Sequence, residues 1–436
     1  MRKKEAKIFY ASGAFLWRGE LPYLLSGLFI AASVAFTLYR MQPPEKVGTT
    51  AGPEMFSSAR AMQQLEKIAE YPHPSGSKEN AAVRDYILQQ LRGLGLNPEV
   101  QTTTPGNPPV ESEPLSNVVV QLPGSSPEGK LLMLTAHYDS VPNGPGASDD
   151  GSGVVVLLET LRALKAGPQL ENNVVFLFSD GEENGLQGAK LFMKQHRWAK
   201  EVGLVLNFEA RGNSGPVIMF ETSDQNGWLI KEFAKAAPRP VASSLMYDFY
   251  RTMANNTDLT VYKRAGLSGL NFAYLRGVTY YHTPYDNLRM IDERSVQHGG
   301  LYALALTRHF SKLNLGAAYT PPAIYFDVLG LTLISYSAAL VLPITVVVLA
   351  LLSVVFILGL RSHQLSLSGL LLGSVLFIAS LGCSLGVSML VWLQLQSVHS
   401  LAAPQQLADL FLVSLAALLV ATTSSLYLFF FAIGLL

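Results

Sequence analysis

The chain has 436 residues, with 32 Lys and Arg against 32 Asp and Glu, a formal net charge of zero, and a single cysteine, Cys383. Balanced charge leaves no basic footprint for nucleic acid, and one cysteine excludes an internal disulfide and argues against a cysteine-based zinc knuckle or catalytic dyad. The length exceeds one average domain, and the apolar residues are spread unevenly along it.

Taken in order, residues 1–20 carry Arg2, Lys3, Lys4, Lys7 and Arg18 and read as a cytoplasmic N-terminus. Residues 21–39 form a nearly uncharged run long enough to cross a bilayer as a helix. The small residues Ala31, Ala32 and Ser33 would also suit a cleavable signal peptide, but the length of the run favours an uncleaved transmembrane anchor. Residues 40–56, containing Pro and Gly, read as a linker. Helical patterning covers 57–70, is broken by Y-P-H-P-S-G-S at 71–77, and resumes over 79–94 with Gly93 and Gly95 at its end. Strands are then expected at 117–122, 130–136, 174–179, 202–208, 216–221 and 269–274, and helices at 154–166, 188–196, 227–237 and 292–310. This alternation predicts an α/β fold, a three-layer sandwich with a mixed, largely parallel central sheet, spanning 57–320.

Residues 337–436 are different in kind. Apolar blocks at about 337–360, 367–393 and 407–436 are each long enough to span, which predicts a C-terminal membrane domain with about three transmembrane helices. The N-terminal basic cluster orients the first helix with its start in the cytoplasm, placing 40–336 on the exoplasmic side. The loop 361–366 carries Arg361 and falls on the cytoplasmic side, whereas 394–406 has no Lys or Arg and falls outside, so the two ways of counting agree. The chain ends on apolar residues, as a longer native chain cut short here would.

The chemistry-bearing residues gather at strand ends. His137, Asp149 and Asp150 lie in T-A-H-Y-D-S-V-P-N-G-P-G-A-S-D-D-G-S-G at 135–153, between a strand's exit and a helix's entrance. His and Asp are ligands for a hard-to-borderline divalent metal, and such loops are where α/β folds place their chemistry. Taken alone, the stretch reads equally well as a tight turn with an Asp-Asp-Gly helix cap. Three more strand-end clusters break the tie: Asp180-Gly181-Glu182-Glu183, Glu209, and Tyr280-Tyr281-His282-Thr283-Pro284-Tyr285-Asp286. Loops at the carboxyl ends of open-sheet strands converge on one crevice, which is what a two-metal site requires.

H-Y-D-S at 137–140, D-D-G-S-G twelve residues on, F-S-D-G-E-E-N-G-L-Q-G-A, N-F-E-A and Y-H-T-P-Y-D-N together resemble the co-catalytic zinc aminopeptidases of metallopeptidase family 28 over about residues 60–315. The flanking apolar runs and P-H-P-S-G-S resemble its membrane-bound branch, similar to endoplasmic-reticulum and vacuolar membrane aminopeptidases and bacterial relatives. The resemblance implies two zinc ions per chain, with Asp149 bridging, His137 and Glu209 completing one metal, and Glu183 and His282 the other. It implies Glu182 as general base and Asp139 as the carboxylate that orients His137. Many relatives have Asp where this chain has Glu209. Peptide substrates and the lipid bilayer are the expected partners, with no nucleic acid.

Other residues are weaker candidates. His73 reads as structural, His196, His298 and His309 as helix surface or packing residues, and His363 and His399 as loop residues. Arg211 reads either as a contact for a substrate carboxylate or phosphate or as a structural salt bridge. The resemblance implies that Asp258 helps shape the substrate pocket, and proximity in sequence to His282 makes Tyr281 or Tyr285 a candidate hydrogen-bond donor to an oxyanion. Asn255-Asn256-Thr257 is a glycosylation sequon. Three alternatives stay open: a one-zinc glutaminyl cyclase, a carboxypeptidase on the same fold, and a catalytically dead receptor or assembly subunit.

Overall fold

The computed structural model describes residues 21–103, 114–126, 128–317 and 320–398. The expected cytoplasmic segment 1–20, the last expected span at 407–436 and His399 lie outside the described residues. The chain divides into two compact units, one of Met1–Arg276 with Tyr281–Ser335 and one of Gly277–Tyr280 with Tyr336–Leu436.

The first unit is built on seven strands: β1 (Glu99–Thr103), β2 (Leu115–Leu122), β3 (Leu131–His137), β4 (Val174–Ser179), β5 (Val202–Phe208), β6 (Ile218–Thr222) and β7 (Ser268–Ala273). They lie in the order β1-β2-β4-β3-β5-β7-β6. The inner four are parallel, while β1, β2 and β6 run antiparallel to their neighbours. Every residue of β3, β4 and β7 is buried. A strand covered on both faces reads as a continuous apolar run, and that is how these strands announce themselves in the sequence. Alternation then divides the residues between two cores. Leu132, Leu134, Ala136, Phe176 and Phe178 join one, and Leu131, Met133, Val175 and Leu177 the other.

Helices α2 (Ser58–Ile68), α3 (Lys78–Gly93), α4 (Gly151–Ala166), α6 (Gly227–Ala236) and α9 (Glu293–Phe310) contribute to the first core. Helices α5 (Gln187–Gln195) and α8 (Asp258–Arg264) contribute to the second. The result is the expected three-layer α/β sandwich, with a parallel centre and antiparallel edges. Helix α4 runs under the functional edge with almost all of its side chains buried. Its one acidic residue, Glu159, is fully buried and meets Arg60 Nε at 2.8 Å and Arg162 Nε at 2.7 Å.

Several elements were not legible in the sequence. Strand β1 (E-V-Q-T-T) is half-exposed and polar, so it lacks an apolar run. The helix at Ser244–Arg251, α7, and α8 are each two turns long, too short for a strong periodic signal. Residues 40–56 were expected as a linker, yet Pro43 and Pro44 are buried. Val47 binds the start of α2 through Ser57 and Ser58. A hairpin, β8 (Ala323–Val328) with β9 (Thr332–Ser337), follows the sandwich. Its turn is held by Arg40, whose guanidinium donates to the carbonyls of Leu329 and Gly330 at 3.1 and 3.2 Å. Arg40 ends the N-terminal helix α1 (Leu21–Arg40).

The second unit contains the helices α10 (Val341–Arg361) and α11 (Leu367–Val398). Among the described residues one helical stretch, Ala338–Arg361, is long and apolar enough to cross a membrane, and Leu25–Arg40 and Leu367–Ala379 are shorter apolar stretches. The first expected C-terminal block, 337–360, falls on Ala338–Arg361, displaced by one residue because Ser337 ends β9.

Candidate metal centre

Parallel pairing decides where the ligands meet. Strands β4, β3, β5 and β7 are neighbours running the same way, so their carboxyl ends share one edge of the sheet. His137 is the last residue of β3 and pairs in register with Ser179 at the end of β4. The turn after β4 carries Glu182 and Glu183. Glu209 follows β5, its amide donating to Phe272 of β7 at 2.8 Å. The chain beyond β7 returns as the loop that carries His282. Asp149 comes from the loop between β3 and α4. Gly146 in that loop has φ +61°, and a Cβ there would stand 2.6 Å from the Asp149 carbonyl oxygen, so glycine is required. The Asp149–Asp150 peptide is cis.

Three groups of potential ligand atoms, each within 4.8 Å of one another, result: His137 with Asp149 and Glu209, Asp149 with Glu183 and His282, and His137 with Glu182 and Glu183. His137 Nε2 lies 3.3 Å from Asp149 Oδ1 and 3.7 Å from Glu209 Oε2. His282 Nε2 lies 3.1 Å from Asp149 Oδ2 and 3.0 Å from Glu183 Oε1. Both of these carboxylate oxygens are buried and have no hydrogen-bonded partner among the described residues. They approach the imidazole without the angles of a hydrogen bond. Ligand atoms that converge in this way fit a shared cation.

Electrostatics point in the same direction. Burial raises the Glu182 and Glu183 carboxyls above their ordinary range, and raises Glu209 to about 8. Burial would raise Asp149 too, but the close imidazoles of His137 and His282 hold it well below the usual carboxylate range. Burial works to lower His282, yet its contacts with Asp149 and Glu183 prevail and lift it to about 9. Four carboxylates facing two imidazoles hold more negative charge than the ligand set balances, and a divalent cation offsets that excess.

Asp139 connects two of the motifs. Its Oδ1 and Oδ2 accept from the backbone amides of Glu182 and Glu183 at 3.1 and 3.2 Å. His137 Nδ1 lies 3.0 Å from the Asp139 carbonyl and 3.3 Å from its carboxylate, so the shorter contact is to the backbone. Both contacts favour the tautomer that leaves Nε2 free for a metal. Asp150 accepts from the amides of His137 and Gly153 and caps α4, which occupies its carboxylate with positioning.

Two positioning groups carried no assignment in the sequence reading. Asp286 accepts from the amides of Ser148 and Asp149 at 2.7 and 3.1 Å, clasping the His282 loop to the Asp149 loop. Asn207 donates to Glu209 Oε1 at 3.2 Å and to Asn271, which donates in turn to Glu221, an ion-pair partner of Lys263 at 3.0 Å. Both residues stood inside quoted motifs, Y-H-T-P-Y-D-N and N-F-E-A. Nothing local distinguishes a ligand from the residue that aims it.

The remaining candidates fall outside the ligand groups. His73 is buried and clasps Ser140 through its backbone, His298 accepts from the Val217 amide, and His309 meets Glu232 at 2.9 Å. His196 caps a short turn and stacks on Phe192. Asp258 is buried and accepts from the Ser179 hydroxyl. Asp180 is tied to Ser116 and Asn80. Tyr285 is 52% exposed, whereas Tyr281 stacks on His282 with centroids 3.7 Å apart. Arg211 forms no ion pair among the described residues, so the structural salt bridge weighed for it is not there; its guanidinium lies over Tyr281.

With the geometry in place, known proteins are informative. Residues 117–307 match Peptidase family M28. The chain is 30% identical over 345 residues to endoplasmic reticulum metallopeptidase 1 of Mus musculus, covering 73% of this chain and 38% of that protein. It is 35% identical over 245 residues to a vacuolar membrane protease of Candida dubliniensis, covering 54% of this chain and 26% of that protein. The chain thus spans well under half the length of these curated relatives. A solved aminopeptidase from Aneurinibacillus sp. strain AM-1 aligns at a TM-score of 0.48 and 14% identity, covering 63% of this chain and 97% of the other. Residues 117–307 thus form a Peptidase family M28 domain.

Proposed function

We propose that this chain is a membrane-anchored aminopeptidase that binds two zinc ions, one held by His137, Asp149 and Glu209 and the other by Asp149, Glu183 and His282. The sharing of Asp149 by two separate ligand groups carries the reading. Imidazole and carboxylate donors suit zinc. A one-zinc cyclase would leave one of the two groups without a purpose. A dead receptor has no need of a complete ligand set with a further glutamate beside it.

Zinc, when bound, polarises a scissile carbonyl and makes water acidic enough to react at neutral pH. The side chains supply the remainder. Glu182 accepts a proton from the attacking water at its carboxylate and returns it to the departing amine nitrogen. Asp139 holds the Glu182 and Glu183 amides and the His137 ring in one frame, so base and ligands keep a fixed relation. Asp150 and Asp286 fix the backbone on either side of Asp149. Tyr281, beside His282, is the better-placed of the two tyrosines to offer a hydroxyl to the developing oxyanion.

The topology proposed is an anchor at 21–39 and about three C-terminal spans, with the catalytic domain on the exoplasmic side and peptides as substrates. The apolar helix Ala338–Arg361 and the likeness of the chain to a vacuolar membrane protease support it.

The test joins metal counting with one variant. Zinc stoichiometry of the solubilised chain should be about two. Glu182→Gln should keep that zinc while losing on the order of 10²–10⁴ in kcat. Near-wild-type turnover by the variant would sink the role of Glu182, and cleavage of only N-acetylated peptides would move the reading to a carboxypeptidase.

A further inference from the structure

Arg211 is a charged group at the edge of the cluster that the chemistry above does not use. Its backbone is fixed two residues beyond Glu209, with the amide donating to the Tyr274 carbonyl at 3.1 Å. Its guanidinium carbon lies 5.0 Å from the centroid of the Tyr281 ring, and that ring stacks on His282. Among the described residues the guanidinium makes one hydrogen bond, from Nη2 to the Asn256 carbonyl at 3.4 Å. An arginine has five N–H donors in a planar fork, so most of this fork is unspent.

A second donor is unspent nearby. The Tyr250 hydroxyl is buried and has no hydrogen-bonded partner among the described residues, while its ring packs edge-on against Phe220 at 4.8 Å. Tyr250 stands in the last turn of α7, six residues before the Asn256 whose carbonyl Arg211 binds, and the two groups lie within electrostatic reach of each other. A buried hydroxyl without a partner and a half-buried cation without a counter-ion are each unfavourable, and an anion lodged between them would relieve both. The competing explanation is that Arg211 only balances the crowded carboxylates. A balancing cation would close an ion pair with one of them. Glu209 instead turns its carboxylate to Asn207 and His137, and Asp149 turns to the two imidazoles.

We propose that Arg211 and the Tyr250 hydroxyl, backed by the Tyr281 ring, form a subsite for a substrate carboxylate, so that the preferred substrates are short peptides with a negative charge next to the scissile bond. The proposal rests on the peptidase reading above. The carboxylate has two possible sources: the free C-terminus of a dipeptide, or an acidic side chain beside the cleaved bond. Guanidinium binds either one through two parallel N–H donors.

The experiment uses the full-length, solubilised, zinc-loaded chain and three probes: Ala-Ala, Ala-Ala-amide and Ala-Glu-amide. Wild type should favour Ala-Ala over Ala-Ala-amide by about ten- to a hundredfold in kcat/KM, the range for a hydrogen bond to a charged group. A comparable advantage for Ala-Glu-amide assigns the subsite to side chains as well, and its absence confines it to the C-terminus. Arg211→Met should bring the acid-to-amide ratio close to one. Arg211→Lys should keep part of the ratio, and Tyr250→Phe should lower it less. Those two carry the test if the methionine variant does not fold. Equal use of acid and amide by wild type would overturn the subsite while leaving the peptidase reading standing. A methionine variant that lowers both substrates alike would also overturn it, in favour of simple charge balance. No chelator-sensitive cleavage of any probe by zinc-loaded wild type would instead remove the peptidase reading, and the subsite with it.

Discussion

Asp286 offers a sharp test of how the centre is held together, because it touches no potential metal-ligand side chain. Its carboxylate accepts from two buried amides, Ser148 at 2.7 Å and Asp149 at 3.1 Å. Its own carbonyl accepts from Ala147 at 3.2 Å. Asp286→Ala removes both acceptors and leaves two buried N–H groups with nothing to bind. Hydrogen bonds to a charged acceptor contribute roughly 1.5–3 kcal/mol each, so the loss should be about 3–5 kcal/mol. For a domain of this size, that corresponds to a melting temperature lower by on the order of 10 °C. Asp286→Asn should give part of this loss, because the amide nitrogen now faces a backbone N–H. The loop carrying Asp149 is also released from the loop carrying His282, so zinc affinity should fall by about 10–100-fold. Thermal denaturation and competition against a graded chelator measure the two effects separately. A variant that melts within about 2 °C of wild type and holds zinc as tightly would refute the clasp. One that is destabilised but keeps its zinc affinity would refute the transmission of the clasp to Asp149.

Two further outcomes concern stability away from the metals. Glu159→Ala strips the counter-ion from Arg60 and Arg162 and the acceptor from the Ser57 amide, and should destabilise by about 3–5 kcal/mol while leaving zinc content intact; melting within about 2 °C of wild type would show the network to be idle. His298 is fully buried, and burial, aided by the Arg239 charge, pushes its pKa down from 6.5 to about 4. The folded state therefore binds fewer protons than the unfolded chain between those values, and stability complete above pH 6.5 is lost as pH falls toward 4, by roughly 3 kcal/mol. The fall in melting temperature across that range should be larger in wild type than in His298→Gln, and parallel curves would disprove the assignment.

The outcome for each element follows from how much of its information is local. Strands β3 and β4 were readable because burial on both faces demands unbroken apolar residues, and α4 because it begins on an Asp cap and is apolar nearly all round. Strand β1 and helices α7 and α8 were not, being short or half-exposed. The ligand residues were readable for a related reason. A parallel sheet brings the carboxyl ends of β4, β3, β5 and β7 to one edge, so an acid or imidazole just beyond each strand becomes a neighbour of the others without any long-range inference. The roles behind them did not travel the same way. That Asp286 holds the Asp149 loop, that Asn207 aims Glu209, and that Arg211 pairs with no acid among the described residues are facts about who stands opposite whom across loops far apart in sequence, or about a rotamer. Spacing along the chain thus reveals the ligands, because the strand ends position their backbone. The residues that tune those ligands are fixed by side-chain direction, and it is there, at Arg211 and Tyr250, that substrate choice is open to experiment.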